Sequence, residues 1–127
     1  MIIIYYDSKT GNVQKFADKL LAEKPEWKIV DIRSGFIGAG HLITHTIARG
    51  APPTTTLAFL KSFSPSILSV SVSGNRNWGI EFAGAAEIIA NKFEIPILLK
   101  FELSGFPTDL KFFIEKLIKY EKDHLEI

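Results

Sequence analysis

Five short apolar runs, separated by segments of helical periodicity, constrain this chain more than any other feature of it. Ile2-Ile3-Ile4-Tyr5-Tyr6 opens the series and stops at Asp7-Ser8-Lys9-Thr10-Gly11-Asn12. It is apolar on both faces, as a central parallel strand covered by helices must be. Val13, Phe16, Ala17, Leu20 and Leu21 then repeat on one helical face, with Asn12 as the expected cap and Pro25 as the exit. Trp27 to Ile32 alternates and reads as a strand near an edge, followed by a loop from Arg33 to Gly40. His41 to His45 is the third strand, and Pro52-Pro53 opens a helix reaching about Phe63. Ser66 to Ser73 is the fourth strand. The next helix is expected to bury Phe82, Ala86, Ile89, Ala90 and Phe93. Pro96 to Phe101 is the fifth strand, and a last helix spans about Thr108 to Lys119, with a charged tail expected to fray after Tyr120.

Such alternation predicts an α/β fold: a five-stranded parallel sheet with right-handed crossovers and helices on both faces. At 127 residues, without repeats or linkers, the chain is expected to form one domain, residues 1–127. Ligands of such sheets bind at the carboxyl ends of the strands, where the strand order reverses. With the order 2-1-3-4-5, the polar, Gly-containing segments 7–13, 45–51 and 73–79 converge on one edge.

Composition narrows the chemistry. There is no Cys, which excludes thiolate metal sites, cysteine nucleophiles and dithiol redox chemistry. The formal net charge of +1 argues against nucleic acid as a partner. The apolar runs are far short of a membrane span of about 20 residues, and the N-terminus reads as a strand rather than a signal peptide. The expected location is the cytoplasm.

The first loop offers hydroxyls at Ser8 and Thr10, the Asn12 amide, backbone freed by Gly11 and a helix N-terminus, which together suit a phosphate. It lacks both the Walker A and the dinucleotide spacing, and an ordinary capped turn would look similar. The fourth-strand loop, Ser73-Gly74-Asn75-Arg76-Asn77-Trp78-Gly79, brackets a large aromatic with two Gly, which suits stacking on a planar ring; a Trp folded back onto the helix is the other reading. His41 and His45 lie about 13 Å apart on an extended strand, too far to share a metal. His45 reads as a half-exposed structural residue or a ligand contact. Glu102 is the one acid placed near the proposed edge. These features suggest cofactor-borne chemistry with a ligand carrying one phosphate and a flat ring.

Over nearly its whole length the chain resembles the NrdI family, small flavodoxin-like flavoproteins that serve class Ib ribonucleotide reductase. Tyr6-Asp7-Ser8-Lys9-Thr10-Gly11-Asn12 resembles the family's phosphate loop, Ser73 to Gly79 its S-G-N-x-x-[FW]-G flavin loop, and Phe101-Glu102-Leu103-Ser104-Gly105 its F-E-L-x-G segment. The resemblance implies a flavodoxin-like fold and bound FMN. Ser8, Lys9, Thr10, Gly11, Asn12 and Val13 would hold the phosphate. His45, Thr46, Ile47 and Ala48 on one side, and Ser73, Gly74, Asn75, Asn77, Trp78 and Gly79 on the other, would flank the isoalloxazine ring, with Trp78 stacking. It further implies an accessory redox protein rather than a free-standing enzyme. Reduced flavin would react with O₂, and the superoxide or peroxide would pass to the dimanganese small subunit for assembly of its tyrosyl radical. A separate reductase would supply the electrons. A general electron-transfer flavodoxin and a flavin-free binding module are the alternatives. The chain departs from the family at His45-Thr46-Ile47-Ala48-Arg49-Gly50-Ala51, which has fewer Gly and an added Arg49, and at Phe106-Pro107, which should move the last helix cap to Thr108.

Overall fold

The computed structural model describes residues 2–124; for Trp78, Ile80 and Glu81 it describes the backbone but not the side chains. Five parallel strands, β1 (Ile3–Tyr6), β2 (Lys28–Asp31), β3 (Gly40–His45), β4 (Ile67–Gly74) and β5 (Ile97–Glu102), pair in the order β2-β1-β3-β4-β5. Four helices accompany them: α1 (Asn12–Glu23), α2 (Thr54–Phe63), α3 (Ala85–Phe93) and α4 (Pro107–His124). The predicted class, strand order and two-sided helical cover are all present.

Each face of the sheet has its own core. Tyr5, Leu42 and Val72 pack with Phe59 and Leu60 of α2 and with Ala86 and Ile89 of α3. On the other face, Ile4, Ile43 and Phe101 meet Val13, Phe16 and Leu20 of α1 and Phe113 and Leu117 of α4. The alternation of Ile4 and Tyr5 between the two cores is why β1 reads as apolar throughout. Phe16 stacks on Phe101 with ring centroids 4.3 Å apart and meets Phe113 edge-on, which ties α1 to β5 and α4.

Four local expectations are corrected. Asn12 does not cap α1: it is the first helical residue, Gly11 holds the cap position, and the Ser8 hydroxyl accepts the Gln14 N–H at 3.1 Å. Phe82 lies outside α3, because Ala83 has φ +50° and a short 3-10 segment, Arg76–Glu81, precedes it. α4 begins at Pro107 rather than being capped by Thr108; the Asp109 carboxylate accepts the Phe106 N–H at 2.7 Å and supplies the cap from inside the first turn. Nor does the helix end near Lys119. It continues to His124 because Tyr120 packs edge-on against the buried His41 ring and Glu121 reaches His41 Nε2 at 3.4 Å.

Candidate functional site

The carboxyl ends of β1, β3 and β4 deliver three loops to one edge, where they enclose a cavity of about 410 Å³. That volume falls in the range of small-ligand pockets, roughly 300–1,000 Å³. Lys9, Thr10 and Asn12 line one end; His45, Thr46, Ile47 and Ala48 line one wall, and Ser73, Gly74 and Asn75 the other. One end is therefore cationic and rich in donors, and the walls carry apolar surface.

Local structure explains each wall. Gly11 has φ +96°, a left-handed backbone that lets the chain turn from β1 into α1 and leaves the first N–H groups of the helix without intrahelical acceptors. Gly74 has no room for a side chain, since a Cβ there would strike the Ala83 backbone and come within 3.2 Å of the Phe82 ring. Backbone thus approaches backbone where β4 ends. The Ser73 hydroxyl donates to the Leu103 carbonyl at 2.5 Å, and the Leu103 N–H donates to the Gly74 carbonyl at 3.0 Å. The Arg76 N–H donates to Glu102 at 3.2 Å, and the Arg76 guanidinium lies 4.5 Å from the Phe82 ring. Glu102 thus braces the fourth-strand loop.

Behind the first loop sits a fully buried carboxylate. Asp7 accepts from Thr55 Oγ1 at 2.5 Å, from Thr56 Oγ1 at 2.6 Å and from Arg33 Nη2 at 3.3 Å. The single proton of Thr56 goes to Asp7, so the Thr44 hydroxyl, 2.6 Å away, donates to Thr56. His45 Nδ1 lies 3.0 Å from the Asp7 carbonyl. A carbonyl only accepts, so Nδ1 carries the hydrogen. His45 Nε2 is buried and has no hydrogen-bond partner among the described residues.

The third-strand loop closes on itself through the Ile47 N–H and the Ala51 carbonyl at 2.8 Å, and the Thr46 hydroxyl donates to the Ser73 carbonyl at 3.0 Å. Arg49 has φ +63° and Gly50 φ +72°, so a non-glycine residue occupies left-handed backbone here.

Of the residues singled out in the sequence, ten line the cavity: Lys9, Thr10, Asn12, His45, Thr46, Ile47, Ala48, Ser73, Gly74 and Asn75. Ser8 is engaged with Gln14, and Val13 buries its side chain in the core. Gly11, Asn77 and Gly79 belong to the bounding loops without lining the cavity, and the Trp78 side chain lies outside what the structure describes. Leu103, 45% exposed with φ +52°, also lines the cavity; the sequence places it in the F-E-L-x-G segment but gives it no part in the site. Arg33, Thr55 and Thr56 were missed as well, because they act through Asp7 from a distant stretch of sequence.

The profile of the family described as NrdI flavodoxin-like matches residues 4–115. This chain belongs to that family. Protein NrdI of Bacillus licheniformis is 41% identical over 119 residues, covering 92% of this chain and 88% of that protein. Protein NrdI of Macrococcus caseolyticus is 37% identical over 123 residues, covering 94% and 93%. Among solved structures, the flavodoxin of Streptococcus pneumoniae TIGR4 superposes with a TM-score of 0.75 at 17% identity, covering 96% of this NrdI-family chain and 98% of that one. A Fusobacterium nucleatum flavodoxin bound to flavin mononucleotide superposes with a TM-score of 0.69 at 14% identity, covering 96% and 97%. A response regulator from Colwellia psychrerythraea also matches, at a TM-score of 0.56 and 10% identity, so architecture alone leaves the ligand of an NrdI-family protein open. Among the described residues no helix is long and apolar enough to cross a membrane.

Proposed function

We propose that the chain binds FMN at this edge and serves as the flavoprotein activator of class Ib ribonucleotide reductase, in the cytoplasm. The observation that carries the reading is the cavity, with a cationic, donor-rich end at a helix N-terminus and two facing walls from the third- and fourth-strand loops. The residues fit the group. An anionic phosphate suits Lys9, Thr10 and the free N–H groups of α1, and a planar ring suits a slot between Ile47-Ala48 and Gly74-Asn75. The buried Nε2 of His45 is a polar atom that calls for a ligand partner.

In this reading Ser8, Lys9, Thr10, Gly11, Asn12 and Val13 hold the phosphate. Residues 45–48 and 73–79 hold the ring and keep bulk water from it. Asp7, pinned by Thr55, Thr56 and Arg33, fixes the phosphate loop relative to α2. Bound FMN supplies the redox chemistry: electrons from a reductase pass to O₂, and the superoxide or peroxide formed serves tyrosyl-radical assembly in the dimanganese small subunit. The protein's own contribution is to orient the flavin, limit its solvent contact and present one open edge to the partner.

Support for the reductase assignment comes from the family and from relatives named NrdI. The test is to mix the reduced FMN-loaded protein with O₂ and manganese-loaded small subunit and to follow the radical by electron paramagnetic resonance. A tyrosyl radical that depends on this protein supports the reading. Reversible electron transfer without radical formation would instead mark a general flavodoxin.

A further inference from the structure

Among the described residues lining the cavity, His45 carries the one imidazole, a side chain chemically suited to gaining and losing a proton. Its ring is oriented from one side only. Nδ1–H is committed to the Asp7 carbonyl at 3.0 Å, which leaves Nε2 as a lone pair in the neutral ring, buried and unpartnered among the described residues. A lone pair in that state is a place to put a proton, provided that a compensating negative charge arrives nearby.

We propose that His45 gains a proton at Nε2 when the bound flavin is reduced, so that electron uptake by the site is linked to proton uptake by this residue. The proposal rests on the FMN reading. In balance, oxidised FMN takes two electrons and one proton to become the anionic hydroquinone, and a second proton goes to His45 Nε2. The electrons come from an added reductant such as dithionite. The site then gains two electrons and two protons, and its net charge stays constant.

The charges around the ring make such an exchange local. From β1 comes Asp7, whose carboxylate is already bonded to Thr55, Thr56 and Arg33. From the first loop comes Lys9, and from the end of β2 comes Arg33, paired with both Asp7 and Asp31 at 3.3 Å. α2 presents Thr54 and Thr55 at its positive end. β4 places uncharged Ser73 opposite His45, and beyond its end the charges of Arg76 and Glu102 pair with each other at 3.7 Å. On the ring's own loop, Arg49 is exposed. The carboxylates of this group are all bonded to hydroxyls, guanidinium groups or backbone N–H, and in the FMN reading the phosphate is met by Lys9 and the N–H groups of α1, so the new anion on the flavin is the charge that remains for an imidazolium to balance.

The test uses the FMN-loaded protein and His45→Asn, whose side-chain amide reproduces the Nδ1–H donor to Asp7 while removing Nε2. Proton uptake on reduction at pH 7 is counted with an indicator dye, and the midpoint potential is followed between pH 6 and 8. The wild type is expected to take up close to one more proton per flavin than His45→Asn and to show a pH slope up to twice as steep. In ¹⁵N spectra of the wild type, His45 Nε2 should change from a bare to a protonated nitrogen on reduction, a signature that decides the matter even if the variant does not fold. Equal proton counts, or an Nε2 unchanged by reduction, would overturn the proposal while leaving FMN binding intact. A wild type that holds no FMN would overturn the underlying reading and this proposal with it.

Discussion

Two residues show how the loops of the site are held. Asp7 is 0% exposed and bears a carboxylate that three side chains address, so removing it strands the Thr55 and Thr56 hydroxyls and the Arg33 guanidinium around a void. Asp7→Ala is expected to lower unfolding free energy by about 2–3 kcal/mol, the cost of leaving buried partners unsatisfied, as read from urea denaturation. A loss under half a kcal/mol would show that the cluster adds little. Arg49 tells the opposite story. With φ +63° it occupies backbone that costs a non-glycine residue about 1–2 kcal/mol, and its side chain is exposed. Arg49→Gly removes the strain but loosens the unfolded chain, so a net gain of about 0.5–1 kcal/mol is expected, seen as a melting temperature higher by a few degrees. A lower melting temperature would mean that Arg49 makes a compensating interaction.

Among the elements, α4 carries the clearest pH dependence. His41 lies on β3 with Nδ1 2.7 Å from Ser69 Oγ and Nε2 3.4 Å from Glu121, and Tyr120 covers its ring. Burial lowers the pKa of His41 below the usual imidazole value of 6.5, and the hydrogen bond and charge of Glu121 only partly offset that. The unfolded chain therefore takes up a proton more readily than the folded one. The stability that neutral His41 contributes is complete above pH 6.5 and is lost as pH falls toward its lower folded value. The urea midpoint of the wild type should fall between pH 7.5 and 5.5, and fall less in His41→Gln; parallel profiles would contradict the assignment. The same contacts explain what the sequence concealed. A charged stretch such as Lys119-Tyr120-Glu121-Lys122 reads as a fraying end, because its partner His41 lies on a strand distant in sequence. Periodicity revealed the faces of α1 and of the central strands because those faces pack on continuous cores, whereas the start of α3 depends on Ala83 adopting φ +50°, which no pattern announces.

For the molecule as a whole, the parallel sheet was legible from alternation and the converging loops from where polar, glycine-bearing segments fall, while the strand order came from the likeness to a flavodoxin-like family. The buried support behind the loops was not, since Arg33 and Thr55 reach Asp7 only after the sheet has formed. The site therefore depends on the whole fold and on Gly11 in particular. At φ +96° with open space around a would-be Cβ, Gly11→Asp is resisted by backbone conformation and by charge rather than by crowding. It should weaken FMN binding at least tenfold while leaving the far-ultraviolet dichroism unchanged; undiminished affinity would remove the phosphate from this loop. The central claim is tested most directly by titrating the purified, flavin-stripped protein with FMN and with riboflavin, following flavin fluorescence. Saturable one-to-one binding of FMN, much tighter than that of riboflavin, which lacks the phosphate, is the predicted result. No binding, or equal binding of the two, would contradict it.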